Sequence, residues 1–203
     1  MQVLIHDNPQ SVTDAQLARL LQTVSAQRRE KALRYKFKSG RVQSVLVYHL
    51  LRQGLSRCYA IDEHPRLDFI AHGKPVLADY PDIHFNISHC KRGVACALDH
   101  RPVGIDIEVI GDALDMAVCR HCFNDAETAD ILQAPSPPER FTVWWTRKEA
   151  YLKLTGEGLT DNLPALFDGG AAARVKFDTH VLADKGFVYT TCQRITDDNH
   201  SNT

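Results

Sequence analysis

Two short segments of this chain carry side chains whose types and spacing could do chemistry. One is Val103-Gly104-Ile105-Asp106-Ile107-Glu108; the other is Trp145-Thr146-Arg147-Lys148-Glu149-Ala150-Tyr151-Leu152-Lys153. Asp106 and Glu108 lie two apart in an apolar, β-branched run. On a strand, that spacing points both carboxylates to one face. Glu149 and Lys153 lie four apart among helix formers, so they share a helix face. Three acids suit a hard cation and an ammonium suits a phosphate, which are the parts of a Mg²⁺-dependent phosphoryl transfer. Plainer readings exist for each segment. Asp-x-Glu also fits an edge strand with a solvated outer face, and a Glu–Lys pair at i,i+4 is commonly a solvated ion pair. Trp144 and Trp145 argue that one face of the second segment is buried.

Other candidates are local. Arg28, Arg29, Lys31, Arg34, Lys36, Lys38 and Arg41 form a basic cluster opposed only by Glu30. Such a cluster could hold a phosphate-rich ligand, form a solvated helix face or, with Tyr35 and Phe37 interleaved, meet nucleic acid. No nucleic-acid fold signature accompanies it. His89 follows Phe85-Asn86-Ile87-Ser88 just past a strand-like run, a position where loops carry function. Cys119-Arg120-His121-Cys122 has the spacing of a zinc half-site, but no second ligand pair at similar spacing is present.

The elements that must position these groups can be read from periodicity. Residues 1–8 predict a strand, and Ser11-Val12-Thr13-Asp14 offers capping residues for a helix to about Val24. Helical spacing resumes at Ser25 and runs to about Arg57, with Gly40 as the expected break between a basic segment and an apolar one. His72-Gly73-Lys74-Pro75 reads as a turn. Strands are expected over 83–88, 93–98 and 103–109, the last two as a hairpin about Asp99-His100-Arg101-Pro102. Helices follow near 116–123 and 125–133, with a break at Ala134 to Pro138. A strong helix over 139–155 ends at Gly156. Short strands over 174–177, 180–182 and 187–194 precede a polar end. Each half therefore reads as helices followed by short strands, which suggests an internal duplication.

At 203 residues the chain can bury a core in one sizeable domain or two small ones. A hydrophobic share of 44% and a charged share of 24% are ordinary for a water-soluble fold. A formal net charge of −1 gives no global pull toward nucleic acid or anionic membranes. No apolar run reaches the roughly 18 residues of a membrane span, and no secretory leader is visible. The six irregularly spaced cysteines read as reduced thiols, so a cytoplasmic location is expected.

Jointly, these pieces resemble a known family. Gly73-Lys74-Pro75, Phe85-Asn86-Ile87-Ser88-His89, Val103 to Glu108 and Trp145-x-x-Lys148-Glu149-x-x-x-Lys153 occur in the order found in the 4′-phosphopantetheinyl transferases. The likeness is to the double-length type that activates nonribosomal peptide synthetases, and it covers about residues 20–167. It implies an α+β fold of two similar subdomains related by a pseudo-twofold, each a long helix packed on a small antiparallel sheet. Residues 1–101 would form the N-terminal subdomain, 102–195 the C-terminal subdomain and 196–203 a tail. Coenzyme A would lie in the cleft between the halves.

The resemblance also implies a reaction of the holo-[acyl-carrier-protein] synthase kind. Coenzyme A would give its phosphopantetheine arm to a serine of an apo acyl or peptidyl carrier protein and release 3′,5′-ADP. Asp106, Glu108 and Glu149 would be the Mg²⁺ ligands, and Lys153 the pyrophosphate contact. Arg28, Lys31, Arg41, Ser44, Ser88 and His89 would bind the 3′-phosphate or its neighbours, and Lys74 the adenine side. Glu127 stands where the family places a residue proposed to help take the serine proton, with Glu149 and a metal-bound water as rivals. Lys148, beside the metal ligand, would serve the same field. Cys90, Arg147 and Ala150 depart from common family residues and bear on carrier specificity. Short relatives complete their site across subunits; a chain of this length would act as a monomer, with neither nucleic acid nor membrane as partner. A non-catalytic coenzyme A or carrier-binding module of the same fold is the alternative reading.

Overall fold

The computed structural model describes residues 1–158 and 162–195; the expected tail, 196–203, lies outside the described residues. Strand β1 (Gln2–Asp7) leads into three helices, α1 (Asp14–Gln22), α2 (Ala26–Leu33) and α3 (Lys38–Tyr59). Thr13 starts α1 through a capping box with Gln16, and the Ser25 hydroxyl accepts the Arg28 amide to start α2. A small hairpin follows, β2 (Leu67–Phe69) with β3 (Pro75–Leu77), then β4 (His84–His89) and β5 (Gly93–Asp99). The second half begins with β6 (Gly104–Val109) and again runs through three helices: α4 (Met116–Cys122), α5 (Asp125–Gln133) and α6 (Pro137–Thr155). It ends with β7 (Val175–Leu182) and β8 (Phe187–Arg194).

The two halves share one topology. The first sheet has the order β1-β5-β4 and the second β6-β8-β7, with antiparallel pairing throughout. In each, the half's opening strand forms one edge, its last strand the centre and its penultimate strand the other edge. Three helices intervene in both halves, and the third packs on the sheet: α3 on β1, β4 and β5, and α6 on β6, β7 and β8. This is the α+β arrangement expected of an internal duplication, with the β2–β3 hairpin as an addition to the first half.

The halves stack as helix, sheet, sheet, helix. Val94, Cys96 and Leu98 of β5 face the α3 core, while Ala95 and Ala97 face a second core with Ile105 and Ile107 of β6 and Phe187 of β8. The alternation follows the strand period of two. Asp106 and Glu108, on the opposite face of β6 from these isoleucines, are therefore turned toward α6. The close approach of α6 to β6 depends on Gly104: a Cβ there would lie 1.9 Å from the Ala150 carbonyl oxygen. Among the described residues no helix is long and apolar enough to cross a membrane.

Several sequence expectations change. Gly40 does not break the helix but lies inside α3, and the break falls at 34–37. Gly40 is needed for another reason, since a Cβ would meet Tyr35 Cδ1 at 2.7 Å, and the chain folds back over that ring. The segments over 93–98 and 103–109 do not pair. Both edges of β5 are taken by β1 and β4, so Asp99 to Pro102 becomes the crossing between sheets. The tight turn lies at 90–92 instead, closed by the Cys90 amide on the Gly93 carbonyl at 2.8 Å. The strands expected over 174–177 and 180–182 are one strand, β7, continuously paired with β8. Helix α6 begins at Pro137, because proline is tolerated in the first helical turn.

Candidate active site

Strand β6, strand β4 and helix α6 bring the two opening segments together. Asp106 is 2% exposed. Its Oδ1 accepts from Lys153 Nζ at 2.6 Å and from Ser88 Oγ at 2.7 Å, and Lys153 Nζ also donates to Ser88 Oγ at 2.8 Å. The triangle ties β4 of the first half to β6 and α6 of the second. Asn86, two residues before Ser88 and on the same face of β4, accepts the Ile105 amide through Oδ1 at 2.9 Å. Its side chain thus holds β6 in register beside β4. Sequence reasoning passed over Asn86, although its place in Asn-Ile-Ser was the available signal.

The cluster holds more acid than base. Burial and then the Asp106 charge push the Glu108 carboxyl up to about 7. The same two causes, in the same order, raise Glu149. Asp106 Oδ2 and Glu149 Oε1 are buried without a hydrogen-bond partner. Three carboxylates against one nearby ammonium, with two orphaned oxygens, form a donor set that fits a hard cation. Among the described residues no group of three or more His, Cys, Asp and Glu side chains is arranged to hold a metal ion. Mg²⁺ commonly completes its shell with substrate phosphate and water rather than with protein groups alone.

Beside the acids lies a cleft of about 270 Å³, walled by His72 to Pro75, Asn86, Glu149, Lys153 and Gly156. Lys74 reaches across it and donates to the Lys153 and Leu154 carbonyls at 2.6 and 3.1 Å. His89 ends β4; desolvation and then the Lys153 ammonium hold its pKa below the usual imidazole range. A larger cavity of about 550 Å³ lies between α2 and β2, lined by Arg28, Lys31, Tyr35, Tyr48 and Phe69 among others. Arg28 is buried with its guanidinium 5.1 Å from the Tyr48 ring, and Lys31 Nζ sits 5.4 Å from the Phe69 ring. Burial lowers the pKa of both, and the Arg28 charge adds to the effect on Lys31.

The expected binding residues thus divide. Lys74 and Lys153 line the acid cleft, Ser88 and His89 lie by Asp106 and Lys153, and Arg28 and Lys31 line the second cavity. Arg41 instead holds the α2–α3 connection by donating Nε to the Tyr35 carbonyl at 2.9 Å. Ser44 is buried on α3 with its hydroxyl unpartnered. Glu127 and Lys148 pair with each other: Lys148 Nζ contacts Glu127 Oε2 at 2.8 Å, with side-chain exposures of 0% and 6%. Lys148 therefore does not join the field at the acids. Cys119 and Cys122 are buried core thiols of α4, packed with Phe123, Ile131 and Leu152.

Fold and site together define a two-halved α+β protein with an acid-rich, lysine-lined cleft suited to a hard cation and a phosphate group. Comparison with known proteins makes the class specific. The family model of the 4′-phosphopantetheinyl transferase superfamily matches residues 102–189. The 4′-phosphopantetheinyl transferase Sfp of Bacillus subtilis (strain 168) is 34% identical over 145 residues, covering 70% of this chain and 64% of that protein. A 4′-phosphopantetheinyl transferase of Bacillus subtilis is 33% identical over 167 residues, 80% of this chain and 71% of its own length. The psf-1 transferase of Bacillus pumilus is 34% identical over 168 residues, with 79% and 72% covered. The chain belongs to the 4′-phosphopantetheinyl transferase superfamily.

Proposed function

We propose that this protein transfers the 4′-phosphopantetheine arm of coenzyme A to a serine hydroxyl of an apo acyl or peptidyl carrier protein, with Mg²⁺. The serine oxygen forms a bond to the phosphorus bearing the pantetheine arm. The bond from that phosphorus to the bridging oxygen breaks, 3′,5′-ADP leaves with the bridging oxygen, and the serine proton passes to a base. The observation that carries the reading is the under-neutralised cluster of Asp106, Glu108 and Glu149 beside Lys153, in a chain of this family. These three acids would hold the ion, which when bound supplies Lewis acidity and a template for the pyrophosphate.

The chain's own groups supply the rest. Lys153 offsets charge developing on the leaving phosphate, and Ser88 fixes the Asp106 carboxylate through the oxygen it already shares with Lys153. Lys74 borders the cleft where the nucleotide end would lie, and His89 stands near Lys153 and Asp106. Arg28 and Lys31, over aromatic rings, offer a basic cavity for its phosphate. The reading carries with it a monomer acting in the cytoplasm.

The test is a mass-shift assay. Purified protein with Mg²⁺ and coenzyme A should add the phosphopantetheine mass to at least one of a panel of apo carriers from fatty-acid, polyketide and peptide synthesis. No shift on any of them with folded protein would sink the proposal. Release of free phosphopantetheine without a carrier would replace it with a hydrolase.

A further inference from the structure

We propose that Glu127 and Lys148 act as a single buried unit that sets the rotation of α6 and so aims Glu149 and Lys153 at the reacting phosphate. Glu127 is then a positioning residue rather than the acceptor of the serine proton. The inference rests on the transferase reading and concerns how its site is held.

Lys148 is wholly buried, and its ammonium meets four partners. It donates to Glu127 Oε2 at 2.8 Å and to the Leu163 carbonyl at 2.7 Å, and lies 5.3 and 5.4 Å from the Phe123 and Phe167 ring centres. Glu127 is committed on its own element. The same Oε2 accepts the Asn124 amide at 3.0 Å, while Asn124 Oδ1 accepts the Glu127 amide at 2.9 Å, closing the capping box that starts α5. Asn124 also reaches the Pro164 carbonyl at 3.4 Å. The start of α5, the 163–164 segment and the middle of α6 therefore converge on one ammonium.

The place of this pair on α6 gives it consequence. Successive helical residues are about 100° apart, so Lys148 and its neighbour Glu149 point in different directions at a fixed angle. Anchoring Lys148 to α5 leaves Glu149, and Lys153 one turn on, directed at Asp106 and Ser88. An apolar side chain at 148 would fill the same core among Phe123, Ile131 and Leu152 without fixing the helix's rotation. Buried ion pairs are poor sources of stability relative to such a residue, and their best-attested use is to specify one arrangement. To take a proton from a carrier serine, Glu127 would have to leave a fully buried ammonium unpaired.

A double-mutant cycle tests this with Glu127→Gln, Lys148→Met and the two combined. Glu127→Gln keeps the capping geometry but strands the Lys148 charge; adding Lys148→Met removes the stranded charge. Each single change should lower kcat about 10- to 100-fold with the coenzyme A KM within about twofold, and the combined variant should recover about tenfold or more over Glu127→Gln. Mn²⁺ binding followed by calorimetry reads the aim of Glu149 without any transfer: the singles should weaken it and the combination restore it. A combined variant as slow as Glu127→Gln, yet melting as high as the parent, would return Glu127 to the chemistry and overturn the proposal. Singles that lose activity only in proportion to their unfolded fraction would also overturn it. If the parent transfers to no carrier, the functional reading fails and the Mn²⁺ cycle alone decides the pair. A parent that neither transfers nor binds Mn²⁺ overturns both.

Discussion

At the scale of single residues, the site is held in tension by charge. Asp106 is satisfied on one oxygen by Lys153 and Ser88, while its other oxygen and one of Glu149 have no partner. Glu149→Ala removes an acid that nothing else on α6 replaces. Transfer should fall on the order of 10²–10³-fold, the range seen when one preorganised charge-stabilising group is lost, with the far-ultraviolet dichroism and melting temperature close to the parent. Retained transfer would break the ligand assignment. Glu108 gives the complementary result. Its carboxyl is pushed up because burial and Asp106 both oppose its charge. Without a divalent ion, at pH 8, Glu108→Gln should therefore stabilise the fold. Discounted for partial solvent access, the gain is about 1 kcal/mol, or a melting temperature ~2–4 °C higher for a chain of this size. The same variant should transfer poorly. A melting temperature at or below the parent's in chelator would show that Glu108 is not under the repulsion described. The acids and Lys153 were legible in the sequence because i,i+2 and i,i+4 spacing states which side chains share a face. Their partners were not: Ser88, Asn86 and the Lys148–Glu127 pair are set by contacts between segments far apart in the chain, which no local period reports.

At the scale of elements, the helices were the most legible because caps and period agree locally, as at Thr13, Ser25 and Gly156. Strand pairing was the least legible. The run over 93–98 is apolar on both faces because one meets α3 and the other the second sheet, and nothing local says that β1 and β4 take both of its edges. Gly40 was misread for a related reason: a glycine in a helical run marks either an ending or a close approach, and here the Tyr35 ring explains it. Two other glycines distinguish close approaches by their cost. A Cβ at Gly104 would strike the Ala150 carbonyl at 1.9 Å and the Leu154 amide nitrogen at 2.7 Å, both main-chain atoms of α6. A Cβ at Gly54 would strike Leu98 Cδ1 at 2.4 Å, the end of a side chain that can turn away. Gly104→Ala should destabilise by about 3 kcal/mol or more and displace the helix that carries Glu149 and Lys153, whereas Gly54→Ala should cost about 1–2 kcal/mol. Urea unfolding of the two variants checks the order. Equal losses would mean that α6 shifts as freely as a leucine methyl.

At the scale of the whole molecule, the repeated strand order makes the site a product of the junction between halves: Ser88 and Lys74 come from the first, the acids and Lys153 from the second. The duplication was legible only as a rhythm of helices and strands; the shared edge–centre–edge order appears once pairing is known. Direct polar bonds across the cleft are few, and Lys74 makes two of them at a mechanically telling place. Its ammonium caps the last turn of α6, where the final carbonyls lack helical partners and the helix dipole favours a cation. The turn it caps begins at Lys153. Lys74→Met keeps most of the apolar stem but removes both bonds, which should cost about 1–2 kcal/mol for a partly buried, charge-assisted contact. If Lys74 holds that turn, amide exchange of a peptide spanning the end of α6 should quicken about tenfold, the equivalent of ~1.4 kcal/mol of local opening. Exchange in α3, packed on the far sheet, should stay as it was. A uniform acceleration would mean that Lys74 contributes only to global stability. No change at the end of α6 would mean that Gly156 and its amide bond to the Leu152 carbonyl close the helix without help from the first half.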